Sequence, residues 1–264
     1  MENYNVTKET LLRVDLPLET SSYKPVSYNE LIDLTLGGVE KAGFKVDNEK
    51  YISADRGLIA TGKYTISDVA DSEMQLQIGW LNSYNKVRSL KWSIGVNVFV
   101  CTNNCVRGDF GGFRKKHTGK IQTFTPTAIS EYIKKSSDTF RLIQDEREKM
   151  KEIEVTKRIS AEIIGRMFIE ESLITSTQLN IINREISSPS FDYKSKDSLW
   201  ELYNHVTFSM RQAHPNNWMD SHINAHNFFV NECSLLSGTP RILHPELKIV
   251  EESMFKQLEL FAVN

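Results

Sequence analysis

Between Lys86 and Lys120 the sequence gathers positive charge and aromatic rings in a pattern suited to a polyanionic ligand. Lys86, Arg88, Lys91, Arg107, Arg114, Lys115, Lys116 and Lys120 are eight cations, and Asp109 is the single acid in the same stretch. The stretch carries a formal +7, so the remainder of a chain with net charge −2 carries −9. Trp80, Tyr84, Trp92, Phe110 and Phe113 are interleaved with these cations or adjacent to them. Proteins that hold single strands use cations for the phosphates and ring faces for the bases. Gly108, Gly111, Gly112 and Gly119 would let the backbone approach phosphates closely. His117, inside the same stretch, would gain charge as pH falls through roughly 6.5. The residues expected to bind nucleic acid are therefore Lys86, Arg88, Lys91, Arg107, Arg114, Lys115, Lys116, His117 and Lys120, with Trp80 and Tyr84 as stacking platforms. The competing reading is a solvated sheet edge guarded by lysines, with the aromatics in the core.

Other chemistry-bearing residues are weaker. Cys101 and Cys105 form a CxxxC pair with His117 twelve positions on, but a zinc site needs about four ligands, and Cys233 is too remote in sequence to assign as the fourth. His222 and His226 stand four apart in a helical pattern and could face one metal, yet the glutamate that follows the first His in zinc peptidases is absent. No metal and no cofactor is expected. Asn82, Ser83, Asn103 and Asn104 sit at strand ends, where such side chains close turns. Glu170, Glu171 and the DERE run at 145–148 read as solvated helical charge. No P-loop, dinucleotide-binding glycine motif or GxSxG elbow occurs. Catalytic residues are not assignable, and binding is favoured over enzymatic activity.

The elements that must position these residues follow from periodicity. Residues 1–26 read as an irregular arm, interrupted by Pro17 and Pro25. Ser27 to Gly43 reads as a helix. Ser27 caps it with Glu30 three residues on. Leu31, Leu34, Leu36, Val39 and Ala42 form its apolar face, and Gly43 is its stop. Tyr51–Ile66, Met74–Leu81 and Leu90–Cys101 read as strands. Met74, Leu76, Ile78 and Trp80 alternate with polar or small residues, as do Trp92, Ile94, Val96 and Val98. The NSYNK turn at 82–86 is too short to cross a sheet, so the last two strands should be antiparallel neighbours. Residues 102–125 form a Gly-rich basic connector. Helical patterns then cover 129–151, 155–174, 178–186, a segment capped by Asp197 and running to about His214, 221–235 and 245–261. The expected class is α+β: an antiparallel sheet in the N-terminal half followed by a mostly helical C-terminal half. The organisation is an arm (1–26), a helix plus antiparallel sheet with the basic loop (27–125), and a helical region packed on the sheet (126–264), forming one continuous domain.

Bulk properties narrow the class. The 264 residues are 40% hydrophobic and 25% charged, an ordinary globular composition. No apolar run approaches the roughly 20 residues of a membrane span, and the opening MENYNVTKETLLRVDLPLE lacks the layout of a signal peptide. The expectation is a cytoplasmic protein without a membrane partner. Three cysteines, an odd number, give no disulfide framework.

Four stretches resemble one known family. LNSYNK (81–86) is similar to its Leu-Asn-Ser-His-Asp-Gly turn, and NVFVCTNNCVRGD (97–109) to its Arg-x-x-Cys-Thr-Asn strand end. KKHTGKI (115–121) is similar to its basic His-Thr-Gly segment, and LWELYNHVT (199–207) to a helix opening with Leu-Trp and a Tyr-Asn pair. The family is the phage/plasmid-like one defined by domain of unknown function 932. The resemblance implies an origin in a mobile genetic element and no particular reaction. Tyr84, Asn85 and Lys86 depart from the family's His-Asp-Gly, so any activity resting on that His-Asp pair would be lost here.

Three functions stay open at this point. The leading one is binding of single-stranded nucleic acid in mobile-element DNA metabolism. The order of helix, strands and long helix is similar, at the level of fold alone, to phage single-strand annealing proteins. The second is a protein–protein interaction module, such as an inhibitor of a host defence system, whose partner is a host or phage protein. The third is a hydrolase or nuclease. Oligomeric state is not indicated.

Overall fold

The computed structural model describes residues 4–98, 103–106, 111–193, 195–212 and 218–237. The N-terminal arm is more ordered than its prolines suggest. It holds strand β1 (Tyr4–Val6) and a short helix α1 (Lys8–Leu12) capped by Thr7, whose side chain accepts from the Thr10 N–H. Helix α2 (Tyr28–Lys41) follows, with Ser27 as its N-cap accepting from the Glu30 N–H at 3.0 Å. Its buried face is Tyr28, Leu31, Ile32, Thr35 and Val39. Leu34 and Leu36 are half-buried and Ala42 is exposed, so the apolar face is rotated from the expected one.

The sheet is antiparallel throughout: β2 (Val46–Ala54), β3 (Ile59–Ala70), β4 (Met74–Ser83), β5 (Leu90–Val98), β6 (Asn103–Val106) and β7 (Gly112–Lys115). Its order is β1-β2-β3-β4-β5-β6, and β7 pairs with the other half of the same β5 edge. The segment 51–66, expected as one strand, is two. The chain reverses at Asp55, Arg56 and Gly57, all at positive φ, and β2 and β3 pair across that turn. β4 and β5 are the expected hairpin, with Trp80 opposite Trp92 and Ile78 opposite Ile94.

Period-two alternation sends Met74, Leu76, Ile78 and Trp80 of β4 and Leu90, Trp92, Ile94, Val96 and Val98 of β5 to one face. There they meet α2 and the helices that follow the sheet. The indoles of Trp80 and Trp92 both have partners, as buried indoles usually do. Trp80 donates to the Tyr64 hydroxyl at 3.0 Å, and Trp92 to Thr35 Oγ1 at 3.2 Å. Gly62, on the strand next to Trp80, makes room for its ring: a Cβ there would lie 2.5 Å from the indole.

The helical half begins at α3 (Ile121–Lys134) and α4 (Ser136–Glu152), two helices where the charged run at 129–151 suggested one. α4 is fixed to the β3–β4 turn by ion pairs of Arg147 with Asp71 and Lys151 with Glu73. Next come α5 (Lys157–Gly165), which runs into a π-helical turn over Arg166–Glu170, then α6 (Ser176–Ser187) and α7 (Leu199–Ser209). Ser198, not Asp197, caps α7 by accepting from the Glu201 N–H. α8 (Trp218–Ser237) is the last described element. The helical pattern expected at 245–261 lies outside the described residues. One hydrophobic cluster joins α1, α2, the sheet and the later helices. A small separate cluster of Leu81, Met219 and Ile223 ties the first turns of α8 to the end of β4.

Candidate nucleic-acid interface

Three segments distant in sequence meet beside the β4–β5 turn. The turn itself is closed by its own polar residues. Ser83 Oγ accepts from the Arg88 N–H at 3.0 Å and donates to the Arg88 carbonyl at 2.9 Å. Asn82 donates to the Val26 carbonyl and accepts from the Ser83 N–H. The arm then crosses the turn. The Tyr23 hydroxyl reaches the carbonyls of Ser83 and Tyr84 at 3.4 and 3.3 Å, and the Lys24 N–H donates to the His117 carbonyl at 2.8 Å. The loop after β7 is the third segment, and it places the His117 ring 5.5 Å from the Tyr23 ring.

Together they border a concave, half-open pocket of about 340 Å³. Five cations line it: Lys86, Arg88, Lys91, Arg114 and Lys116. His117 also lines it, and Asp220 is the one carboxylate among the lining residues. Strand parity explains part of this grouping. Lys91 lies between Leu90 and Trp92, which face the core, so it points to the opposite face. Arg114 is its cross-strand partner on β7 and shares that face. Lys91 is buried all the same and is ion-paired with Asp220 of α8. Lys86 holds its ammonium 4.7 Å above the Tyr23 ring, a cation–π distance. Arg114 and Lys116 are exposed and Arg88 is half-buried.

Two lining groups stand out for what they lack. His117 is 5% exposed, and neither ring nitrogen has a hydrogen-bond partner among the described residues. Arg88 Nε is likewise buried without one. Buried polar groups are nearly always paired, so these two side chains depart from the usual pattern on the same pocket wall. Burial pushes the His117 imidazole below its ordinary value, and the nearby Lys24 backbone offsets part of this.

The expected residues thus divide. Lys86, Arg88, Lys91, Arg114, Lys116 and His117 come together. Lys115 and Lys120 do not line the pocket. Lys115 pairs across from Leu90, on the core-facing side, and sits 4.7 Å over the Phe124 ring. Lys120 is exposed at the start of α3. Arg107 lies outside the described residues, as do Cys101, Asp109 and Phe110; Cys105 is placed in β6 by its backbone alone. The two aromatics need correcting. Trp80 is fully buried in the core. Tyr84 is 5% exposed, stacks on Tyr28 at 4.0 Å and accepts from the Tyr28 N–H. Neither presents a free face to a base. Tyr23 and Asp220 were missed, because the arm read as irregular and α8 lies far along the chain.

The remaining candidates are placed elsewhere. His226 pairs with Glu146 of α4 at 3.0 Å. Cys233 is a buried thiol whose pKa burial raises. Among the described residues, no group of three or more His, Cys, Asp or Glu side chains is placed to hold a metal ion. No described helix is long and apolar enough to cross a membrane.

Sheet and helical layer define an α+β protein, and the pocket beside the β4–β5 turn is lined mainly by cations. The chain belongs to the family described as Domain of unknown function (DUF932), whose model matches residues 16–227. No curated protein and no solved structure matches it. Two stretches that carry the family resemblance, LNSYNK and KKHTGKI, both contribute walls of the pocket.

Proposed function

We propose that this protein binds single-stranded nucleic acid through its phosphates, as a phage- or plasmid-type protein acting in the cytoplasm in mobile-element DNA metabolism. The observation that carries this reading is the convergence of five cationic side chains and one buried, unpartnered histidine on a concave site with a single acid. Lys120, four residues after the pocket-lining Lys116, adds a further exposed cation to the same loop. The mobile-element setting rests on the family resemblance alone. With Trp80 and Tyr84 in the core, affinity must come from charge more than from stacking. Base preference should therefore be weak and salt dependence steep.

The test is a salt-titrated binding assay with single-stranded DNA, duplex DNA and single-stranded RNA. A log–log slope of about −2 or steeper on single strands is expected, since each neutralised phosphate contributes about −0.7. The triple substitution Lys86→Ala, Arg114→Ala, Lys116→Ala should flatten that slope by about 2 and leave the thermal midpoint nearly unchanged. Binding to none of the three nucleic acids, or unchanged binding by the triple variant, overturns the reading.

A further inference from the structure

We infer that the pocket seats a phosphomonoester, the terminal phosphate of a nucleic-acid strand, in preference to an internal phosphodiester. The inference deepens the single-strand reading and rests on it for the identity of the ligand. Size is the first argument. About 340 Å³ is near the lower end of small-ligand pockets, roughly 300–1,000 Å³. A continuous strand instead needs an open groove that tracks about four or more nucleotides. A half-open pocket of this size holds one phosphate group more readily than it tracks a strand.

Charge is the second argument. The wall's one acid, Asp220, is ion-paired with Lys91, which leaves Lys86, Arg88, Arg114 and Lys116 around the cavity without a second acid in its wall. An internal diester brings one negative charge to that cluster. A monoester brings about −1.5 to −2 and three strong acceptor oxygens. The third argument is the pair of unpartnered donors. Arg88 Nε comes from the β4–β5 turn and the His117 ring from the loop after β7. Two such side chains lining one pocket from separate segments suit an acceptor with several oxygens, which a terminal phosphate provides. Lys86 and Lys116 at the mouth then meet the next phosphates of the strand.

Four ligands separate the outcomes: a short oligothymidylate with a 5′-phosphate, the same with a 3′-phosphate, the same with hydroxyls at both ends, and thymidine monophosphate as the free monoester. Tenfold or tighter binding of one phosphorylated strand over the unphosphorylated one is expected, with that preference reduced at least fivefold in His117→Gln. Because His117 is buried, Arg114→Ala on the exposed rim provides a second variant, expected to weaken the phosphorylated strand more than the unphosphorylated one. Equal binding of all three strands overturns the terminal-phosphate inference and leaves single-strand binding standing. If no strand binds but the monophosphate raises the thermal midpoint of the parent and not of the variants, the strand reading fails and the monoester site stands as a site for a free nucleotide. If neither strand nor monophosphate binds, both are overturned.

Discussion

Lys91 and Asp220 lie 129 residues apart and form an ion pair in the wall of the cationic pocket. The pair joins β5, the penultimate strand of the sheet, to the first turn of α8. It also differs in exposure between partners: the Lys91 side chain is 6% exposed and that of Asp220 is 43% exposed. That asymmetry gives the two single substitutions different consequences. Asp220→Asn strands a buried ammonium. Breaking a fully buried pair costs about 3–5 kcal/mol, and discounting for the exposed carboxylate leaves about 1–2 kcal/mol. Lys91→Met keeps the volume and returns Asp220 to water, so its cost should stay below about 1 kcal/mol. Denaturant unfolding should rank Asp220→Asn as the less stable variant. Phosphate affinity should move the other way, since Asp220→Asn removes the pocket's one acid and Lys91→Met removes a cation.

Lys86 occupies a left-handed position, φ 64°, where the family pattern has glycine. A side chain there costs about 1–2 kcal/mol, and the ammonium over the Tyr23 ring offsets part of it. Lys86→Gly relieves the backbone but adds about 0.5–1 kcal/mol of chain entropy to the unfolded state. Stability should therefore change by less than about 1 kcal/mol. The salt slope for a single strand should flatten by about 0.7. An unfolded Lys86→Gly variant, or one that binds as tightly as the parent, contradicts a ligand-facing role for this lysine.

His205 makes acid stability measurable. It is 3% exposed on α7, packs edge-on against Tyr193 at 5.5 Å, and its Nδ1 has no partner among the described residues. Burial pushes its pKa down to about 4, against an opposing pull from Glu185. The unfolded chain titrates this group near 6.5, so below that pH the unfolded state binds the extra proton. The stabilisation is complete above about pH 6.5 and is lost as pH falls toward 4, by at most on the order of 3 kcal/mol. His117, also lowered by burial, contributes with the same sign. Urea midpoints of the parent should drop over this window. His205→Phe, which keeps a ring against Tyr193, should show a shallower drop; equal slopes would assign the acid sensitivity elsewhere.

How far the sequence reveals this arrangement depends on the range of the interaction that decides each element. β4 and β5 are legible because alternation and a short turn are local signals. Ser27 is legible as a cap for the same reason. The Asp55–Gly57 reversal carries a short turn signal in Asp55 and Gly57, but the hydrophobic residues on both sides mask it, and the positive φ of all three residues marks the turn only in the structure. Trp80 and Tyr84 sit beside cations in the sequence, yet parity turns Trp80 to the core, and Tyr84 is held under α2 by Tyr28. The same parity argument separates Lys91 from Trp92 and pairs Arg114, not Lys115, with the pocket. Asp220 and Tyr23 enter through tertiary contacts that no local pattern encodes.

The proton on His117 offers the most direct test of which group meets the ligand. Burial holds the free imidazole below its ordinary value, so at pH 7 it is neutral and one ring nitrogen at most can donate. An anion against the ring favours the charged form and raises the pKa. Binding then takes up a proton, and affinity must strengthen as pH falls through the interval between the bound and free pKa values. A phosphomonoester blurs this, because it loses charge itself near pH 6. Sulfate, a dianion throughout, is the cleaner probe, used as a competitor against a labelled strand. The charged and titratable groups around the ring are Tyr23, Lys24, Lys86, Arg88, Lys91, Arg114, Lys116 and Asp220. His117→Gln separates its proton from theirs, since glutamine keeps a donor and does not titrate. The parent should bind sulfate several-fold tighter at pH 5.5 than at pH 7.5, and His117→Gln should bind it equally at both. A pH dependence that survives in the glutamine variant belongs to a neighbour, and a flat profile in the parent removes His117 from the site without removing the cations around it.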